Sequence, residues 1–216
     1  MKPITELRNK HQGYDIHVVA SGASTQFIDK SYFDNKITIG VNEVWRRFDN
    51  LDYIVHKEQH LSDVLETASK QFGFKVIVSK YRCGTHSFGT NKEKADYYFD
   101  HKDNKLTDID LDVVGTDQIV VSYSTITSAI HIAAYMGAAN IILVGHDCGT
   151  LDGKQNYNSY PEPIHPDGRT FYRKFLTKIE PQTIALRERL KEVYGCNLYS
   201  LNPFVNFGLE GHIYER

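Results

Sequence analysis

Asp15-Ile-His-Val-Val-Ala-Ser-Gly-Ala-Ser-Thr25 decides the fold. Its first half is strand-length, apolar and β-branched. Its second half is a run of small residues, as in a turn that leaves a buried strand and opens a helix. The same grammar recurs downstream. Lys36–Val41 ends at Asn42-Glu43, Asp52–His56 and Phe74–Ser79 are two more apolar runs, and Gln118–Val121 leads into Ser122-Tyr-Ser-Thr-Ile-Thr-Ser128. Asn140–Gly145 leads into His146-Asp-Cys-Gly-Thr-Leu-Asp-Gly153, and Asn197–Leu201 is a last strand. Helical spacing separates several of them. Leu61, Val64, Leu65 and Ala68 share one face, and Ala129, Ile130, Ile132, Ala133, Ala134 and Met136 form a small-residue helix stopped at Gly137. Thr170–Tyr194 is helical and is expected to break near Pro181. Tyr81–Asp117 reads as loop-rich.

The alternation predicts an α/β fold: Rossmann-like, doubly wound, with a mostly parallel sheet and helices on both faces. The expected organisation is one domain over residues 1–216, with a lid-like insertion at 148–168 where turn residues run without periodicity.

Composition narrows the function. The chain has 216 residues, 41% of them hydrophobic and 24% charged, so a folded core is expected rather than disorder. The net charge of -2 carries no nucleic-acid footprint. No run approaches the roughly 18 apolar residues of a membrane span, and the first residues lack the apolar core of a signal peptide. Cys83, Cys148 and Cys196 form no CxxC pair, so a disulfide framework or zinc knuckle is not expected and a reducing, cytoplasmic setting is. The sequence leaves assembly into a homo-oligomer open.

In doubly wound sheets, ligands bind beyond the carboxyl ends of the strands. Four such ends carry candidate residues. Gly22, Ala23 and Ser24 let the backbone approach a ligand, with Ser24 or Thr25 capping a helix whose N–H groups attract phosphate. The dinucleotide fingerprint would need glycines where Ser24 and Phe27 stand. Asn42 offers an amide to a base, ribose or phosphate. Ser124–Ser128 places four hydroxyls, Thr127 and Ser128 among them, at a helix start. Asp147 follows a strongly apolar strand. It could orient a sugar hydroxyl, act as a base, or hold a metal with Asp152. His146 and His165 are candidate bases.

In order and content, these marks resemble the family 42 bacterial sialyltransferases. The resemblance rests on SGAST at 21–25, Val41-Asn42, Ile126-Thr127-Ser128, Gly145-His146-Asp147 and Asn197-Leu-Tyr-Ser-Leu-Asn-Pro203. It implies a nucleotide-dependent glycosyltransferase with a CMP-type sugar donor, a cell-surface glycan acceptor and no obligatory cofactor or metal. In that reading the 21–25 loop, Asn42, Thr127 and Ser128 hold the donor. Tyr157 or Tyr160 steadies the leaving phosphate and His165 deprotonates the acceptor, with inversion at the anomeric carbon. The chain is also similar to the archaeal 6-hydroxymethylpterin diphosphokinase-like family, through GHDCGTLDG at 145–153. That resemblance implies Mg²⁺ and ATP, with Asp147 and Asp152 as ligands and Lys154 or Arg169 as cationic help. A third reading is a non-catalytic nucleotide- or glycan-binding module.

Overall fold

In the computed structural model, the described residues are 1–57, 61–79, 94–103, 111, 113, 116–122, 124–149, 151, 154, 156–157 and 171–202, with side chains described from 178 onward in the last stretch. The elements in chain order are β1 (Lys2–Pro3), β2 (Asp15–Val19), β3 (Ile37–Val41), β4 (Tyr53–His56), α1 (Ser62–Phe72) and β5 (Lys75–Ser79), then β6 (Tyr97–Asp103), β7 (Gln118–Val121), α2 (Thr125–Tyr135), β8 (Asn140–Val144), α3 (Phe171–Tyr194) and β9 (Asn197–Ser200). Short 3-10 turns lie between several of them.

The strands form one mostly parallel sheet in the order β1-β6-β5-β4-β3-β2-β8-β9, with β7 pairing β6. Side chains alternate between its two covered faces, as the pleat requires. Ile16 and Val18 join a core with α2 and α3, represented by Ile130, Ala133, Leu186 and Leu190. Val19 points the other way, into a core with Phe33, Phe48, Leu65 and Phe74. The expected doubly wound α/β architecture is therefore the observed one.

β2 sits at the switch point. Strands β3 to β6 run outward on one side of it and β8 and β9 on the other. A crevice opens beyond the carboxyl ends at such a reversal.

Three local expectations are corrected. First, Gly22–Phe27 opens no α-helix. Ala23–Phe27 is a five-residue 3-10 turn without a side-chain cap. The Thr25 carbonyl accepts the Ile28 N–H at 3.1 Å, and Arg47 Nη2 donates to the Ile28 carbonyl at 3.1 Å and lies within 3.5 Å of those of Thr25 and Gln26, so an arginine closes the turn where a further helical turn would begin. Second, the loop-rich reading of 81–117 missed β6, which pairs β5, β1 and β7. Third, α3 runs 24 residues through Pro181. Interior proline costs about 3 kcal/mol. Burial of Gln182, Thr183, Leu186 and Leu190 just beyond it offsets that cost.

Candidate active site

The switch-point crevice is a cleft of about 140 Å³. Ser21 and Gly22 after β2, Asn42 after β3, Ser124 and Thr125 at the start of α2, and Asp147 after β8 all line it. Four sequence-distant strand ends thus meet at one point.

Two glycines make that meeting sterically feasible. A Cβ on Gly22 would lie 2.3 Å from the Gly145 carbonyl oxygen and 2.6 Å from the Asp147 carboxyl. Gly145 has φ +69°, and a Cβ there would lie 2.2 Å from Thr25 Cγ2. The loops after β2 and β8 consequently touch, and the Gly22 N–H donates to the Gly145 carbonyl at 2.8 Å.

Asp147 locks this junction. Its Oδ2 accepts the Ser24 backbone N–H at 2.8 Å, and its Oδ1 accepts the Ser24 hydroxyl at 2.5 Å and the Asn202 amide at 2.6 Å. Both carboxylate oxygens are occupied by the protein. Asn202 is itself buried, so the end of β9 is tied to the same carboxylate.

Asn42 adopts φ +52°, a left-handed conformation that asparagine tolerates. Its N–H donates to the Val55 carbonyl at 2.9 Å. Its side-chain oxygen is buried without a hydrogen-bond partner among the described residues. A buried acceptor left this way costs about 1–3 kcal/mol, which a ligand hydroxyl or amine would recover.

Ser124 caps α2, its hydroxyl facing the Ile126 N–H at 3.4 Å, and this first turn opens on the cleft. Thr127 and Ser128 do not reach the cleft. The Ser128 hydroxyl donates to the Val120 carbonyl at 2.9 Å, and the Thr127 hydroxyl donates to Gln182 Oε1 at 3.3 Å. At this helix start the residues that line the cleft are Ser124 and Thr125, three positions before Thr127 and Ser128.

His146 lines the cleft from beneath. The Thr183 hydroxyl donates to the Ile179 carbonyl at 3.1 Å, so its oxygen is the acceptor for His146 Nε2–H at 2.8 Å. Burial holds the imidazole down at about 4, so it is neutral near pH 7. Cys148, with Sγ 3.7 Å from the same nitrogen, is pushed up by burial, then by Glu180 and Asp147, and stays a thiol.

The opening of the expected lid is anchored here. The Ser21 hydroxyl donates to Asn156 Oδ1 at 2.8 Å, and Gly22 bridges Asn156 in antiparallel fashion. Tyr157 is buried in the second core, and its hydroxyl donates to the Glu43 carbonyl at 3.3 Å. Burial raises that phenol to about 12. Ala23 is buried in the 3-10 turn, and Ser24 faces a neighbouring apolar depression with Phe27, Ile28 and Leu201. Tyr160, His165, Asp152 and Arg169 lie outside the described residues. Among the described residues, no group of three or more His, Cys, Asp or Glu side chains is placed to hold a metal ion.

Solved structures share this architecture. The chain matches the sialyltransferase CstII from Campylobacter jejuni in complex with the substrate analogue cytidine-5'-monophosphate at TM-score 0.53 and 12% identity, covering 92% of this chain and 84% of that one. The same enzyme in complex with CMP-3FNeuAc gives TM-score 0.52 and 12% identity, over 91% and 85%. The likeness is one of fold. No family model and no curated protein matches the sequence. The diphosphokinase resemblance finds no counterpart in these comparisons. No helix among the described residues is long and apolar enough to cross a membrane.

Proposed function

We propose that this chain is a glycosyltransferase that takes a CMP-type nucleotide-sugar donor and transfers the sugar to a hydroxyl of a glycan acceptor. The carrying observation is the buried, unpartnered Asn42 side-chain oxygen in the switch-point cleft. It asks for a ligand hydroxyl or amine. The first turn of α2 across the cleft favours an anion. A nucleotide offers both.

In the transfer, the bond between the anomeric carbon and the donor phosphate oxygen breaks, and its electron pair stays on phosphate. The acceptor oxygen bonds the anomeric carbon, and its proton passes to a base, the role assigned here to His165. The developing phosphate charge is met by the α2 first turn and by the hydroxyls of Ser124 and Thr125. Tyr160 is assigned the role of steadying the same phosphate. Gly22, Ala23 and Ser24 shape the donor wall, and Asp147 holds that wall in place as a positioning residue. Thr127, Ser128 and Tyr157 support it from within the fold.

A thermal-shift panel of CMP, UDP, ADP and ATP, each with and without Mg²⁺, tests the reading. CMP at about 100 times its dissociation constant is expected to add about 2.7 kcal/mol without metal. A shift confined to ATP or ADP with Mg²⁺ would instead mark a phosphoryl-transfer enzyme. CMP binding without CMP release from a sugar donor would leave a binding module.

A further inference from the structure

Asn42 is one of two asparagines that line the switch-point cleft, and the other is Asn156. The fold ties them together. Asn156 bridges Gly22 in antiparallel fashion, and the N–H of the next residue, Tyr157, donates to the Ser21 carbonyl at 3.1 Å. The Tyr157 ring is buried in the second core, and its hydroxyl donates to the carbonyl of Glu43, the residue after Asn42. Each asparagine thus directly precedes one partner of the same hydrogen bond. Asn156 and Tyr157 together join the end of β2 to the end of β3.

The two amides are complementary. The Ser21 hydroxyl donates to Asn156 Oδ1 at 2.8 Å and so orients that amide. An asparagine amide also carries two N–H donors. Among the described residues nothing accepts from those of Asn156, which is half-buried at the cleft. Asn42 shows the reverse, a buried oxygen that receives no donor among the described residues. The cleft therefore holds an unused donor and an unused acceptor on two side chains fixed to each other by the backbone.

We infer that Asn156 is a ligand-binding residue of this cleft and that, with Asn42, it reads a group that accepts and donates hydrogen bonds side by side. The Asn156 N–H groups donate to the ligand, and a ligand N–H or O–H donates to Asn42 Oδ1. Two parts of a cytidine nucleotide have that chemistry, the amino-pyrimidine edge of the base and the ribose hydroxyls. This rests on the nucleotide reading above and assigns the nucleoside to a residue that no strand end supplies.

Calorimetric titration of the whole chain with CMP, cytidine and ribose 5-phosphate tests it, in the wild type and in Asn156→Ala and Asn156→Asp. The aspartate variant keeps an oxygen for the Ser21 hydroxyl and loses the N–H donors, and thermal melts report folding. Expected in both variants is a cytidine dissociation constant raised about tenfold, with CMP weakened by at least the same factor. Equal weakening of ribose 5-phosphate would sustain the pair and assign it to the ribose hydroxyls. Unchanged ribose 5-phosphate would sustain it and assign it to the base edge. Wild-type affinity for CMP and cytidine in both variants would overturn the role of Asn156 and leave the nucleotide reading intact. Weakening of CMP without cytidine would put Asn156 at the phosphate and overturn its pairing with Asn42. Failure of both variants to fold would assign the side chain to structure alone and overturn it too. Wild-type binding of ribose 5-phosphate but not CMP, weakened in both variants, would sustain the pair and sink the cytidine nucleotide. Wild-type binding of none of the three would sink both.

Discussion

Asp147 illustrates how one side chain can be read two ways until its partners are known. As a sequence feature it is an acid beyond an apolar strand, open to base, sugar-orienting or metal roles. In the fold its two oxygens accept three hydrogen bonds, from Ser24 twice and Asn202 once. Hydrogen bonds to charged groups contribute about 1.5–3 kcal/mol each. Asp147→Asn turns one acceptor into a donor facing other donors. It is expected to lower the unfolding free energy by about 3 kcal/mol in urea titration and to weaken CMP binding through the displaced Ser24 loop. Gly22→Ala is the steric counterpart. Its methyl would meet the Gly145 carbonyl at 2.3 Å, backbone that cannot step aside. Overpacking of this kind costs about 1–3 kcal/mol, and urea titration is expected to show a lowered midpoint. That Gly22 and Asn42 stand at strand ends beside the cleft was legible, because a glycine and an asparagine at such ends carry local meaning. The lack of a partner for the Asn42 oxygen among the described residues was not, since it depends on residues far away in sequence.

At the scale of elements, α2 does two jobs with different residues. Its first turn faces the cleft, while Ser128 and His131 on its inner side hold β7. The Ser128 hydroxyl donates to the Val120 carbonyl at 2.9 Å, and the Val120 N–H donates to His131 Nδ1 at 3.0 Å. Both backbone polar groups of Val120, in a strand that among the described residues pairs only β6, are thereby satisfied by helix side chains. Ser128→Ala is expected to cost about 1–3 kcal/mol of stability, since it leaves a buried carbonyl without its donor. CMP affinity, measured by calorimetry, should stay within about twofold of wild type. A large affinity loss at unchanged stability would return Ser128 to the donor site. The buried strands β2, β3, β4, β5, β7 and β8 were legible because both of their faces are covered, so they read as continuous apolar runs. β6 was not. Tyr97-Tyr-Phe-Asp-His-Lys-Asp103 is polar and charged from Asp100 onward, so it lacks the continuous apolar run of a buried strand. Only its pairing with three neighbours makes it a strand, and pairing is not written in local sequence. The unbroken α3 likewise depends on what Leu186 and Leu190 bury against, not on Pro181 alone.

Across the whole molecule, two neutral histidines on opposite sides of the sheet make stability depend on pH. His17 alternates with Ile16 and Val18, so its ring points to the second core, where it meets Tyr32 and Phe33 edge-on. His146 lies on the α3 side, bonded to Thr183. Burial is the largest cause in both, and both are held down at about 4 from an ordinary 6.5. The unfolded chain therefore binds protons at these sites between pH 6.5 and 4 that the folded chain refuses. Stability rises with pH wherever the unfolded state binds more protons. The contribution is complete above pH 6.5 and is lost as the pH falls toward 4, at up to about 1.4 kcal/mol per pH unit for each histidine. Urea titrations at pH 7.0, 5.5 and 4.5 are expected to show this decline. Carboxylates also titrate near the low end, so the wild-type slope alone does not assign it. His17→Gln keeps a polar side chain that takes up no proton. If His17 carries its share, the variant's stability falls less steeply between pH 6.5 and 5, where few carboxylates protonate. A variant slope equal to that of the wild type across that interval would mean that His17 is charged in the folded protein, and its place between Tyr32 and Phe33 would need another account.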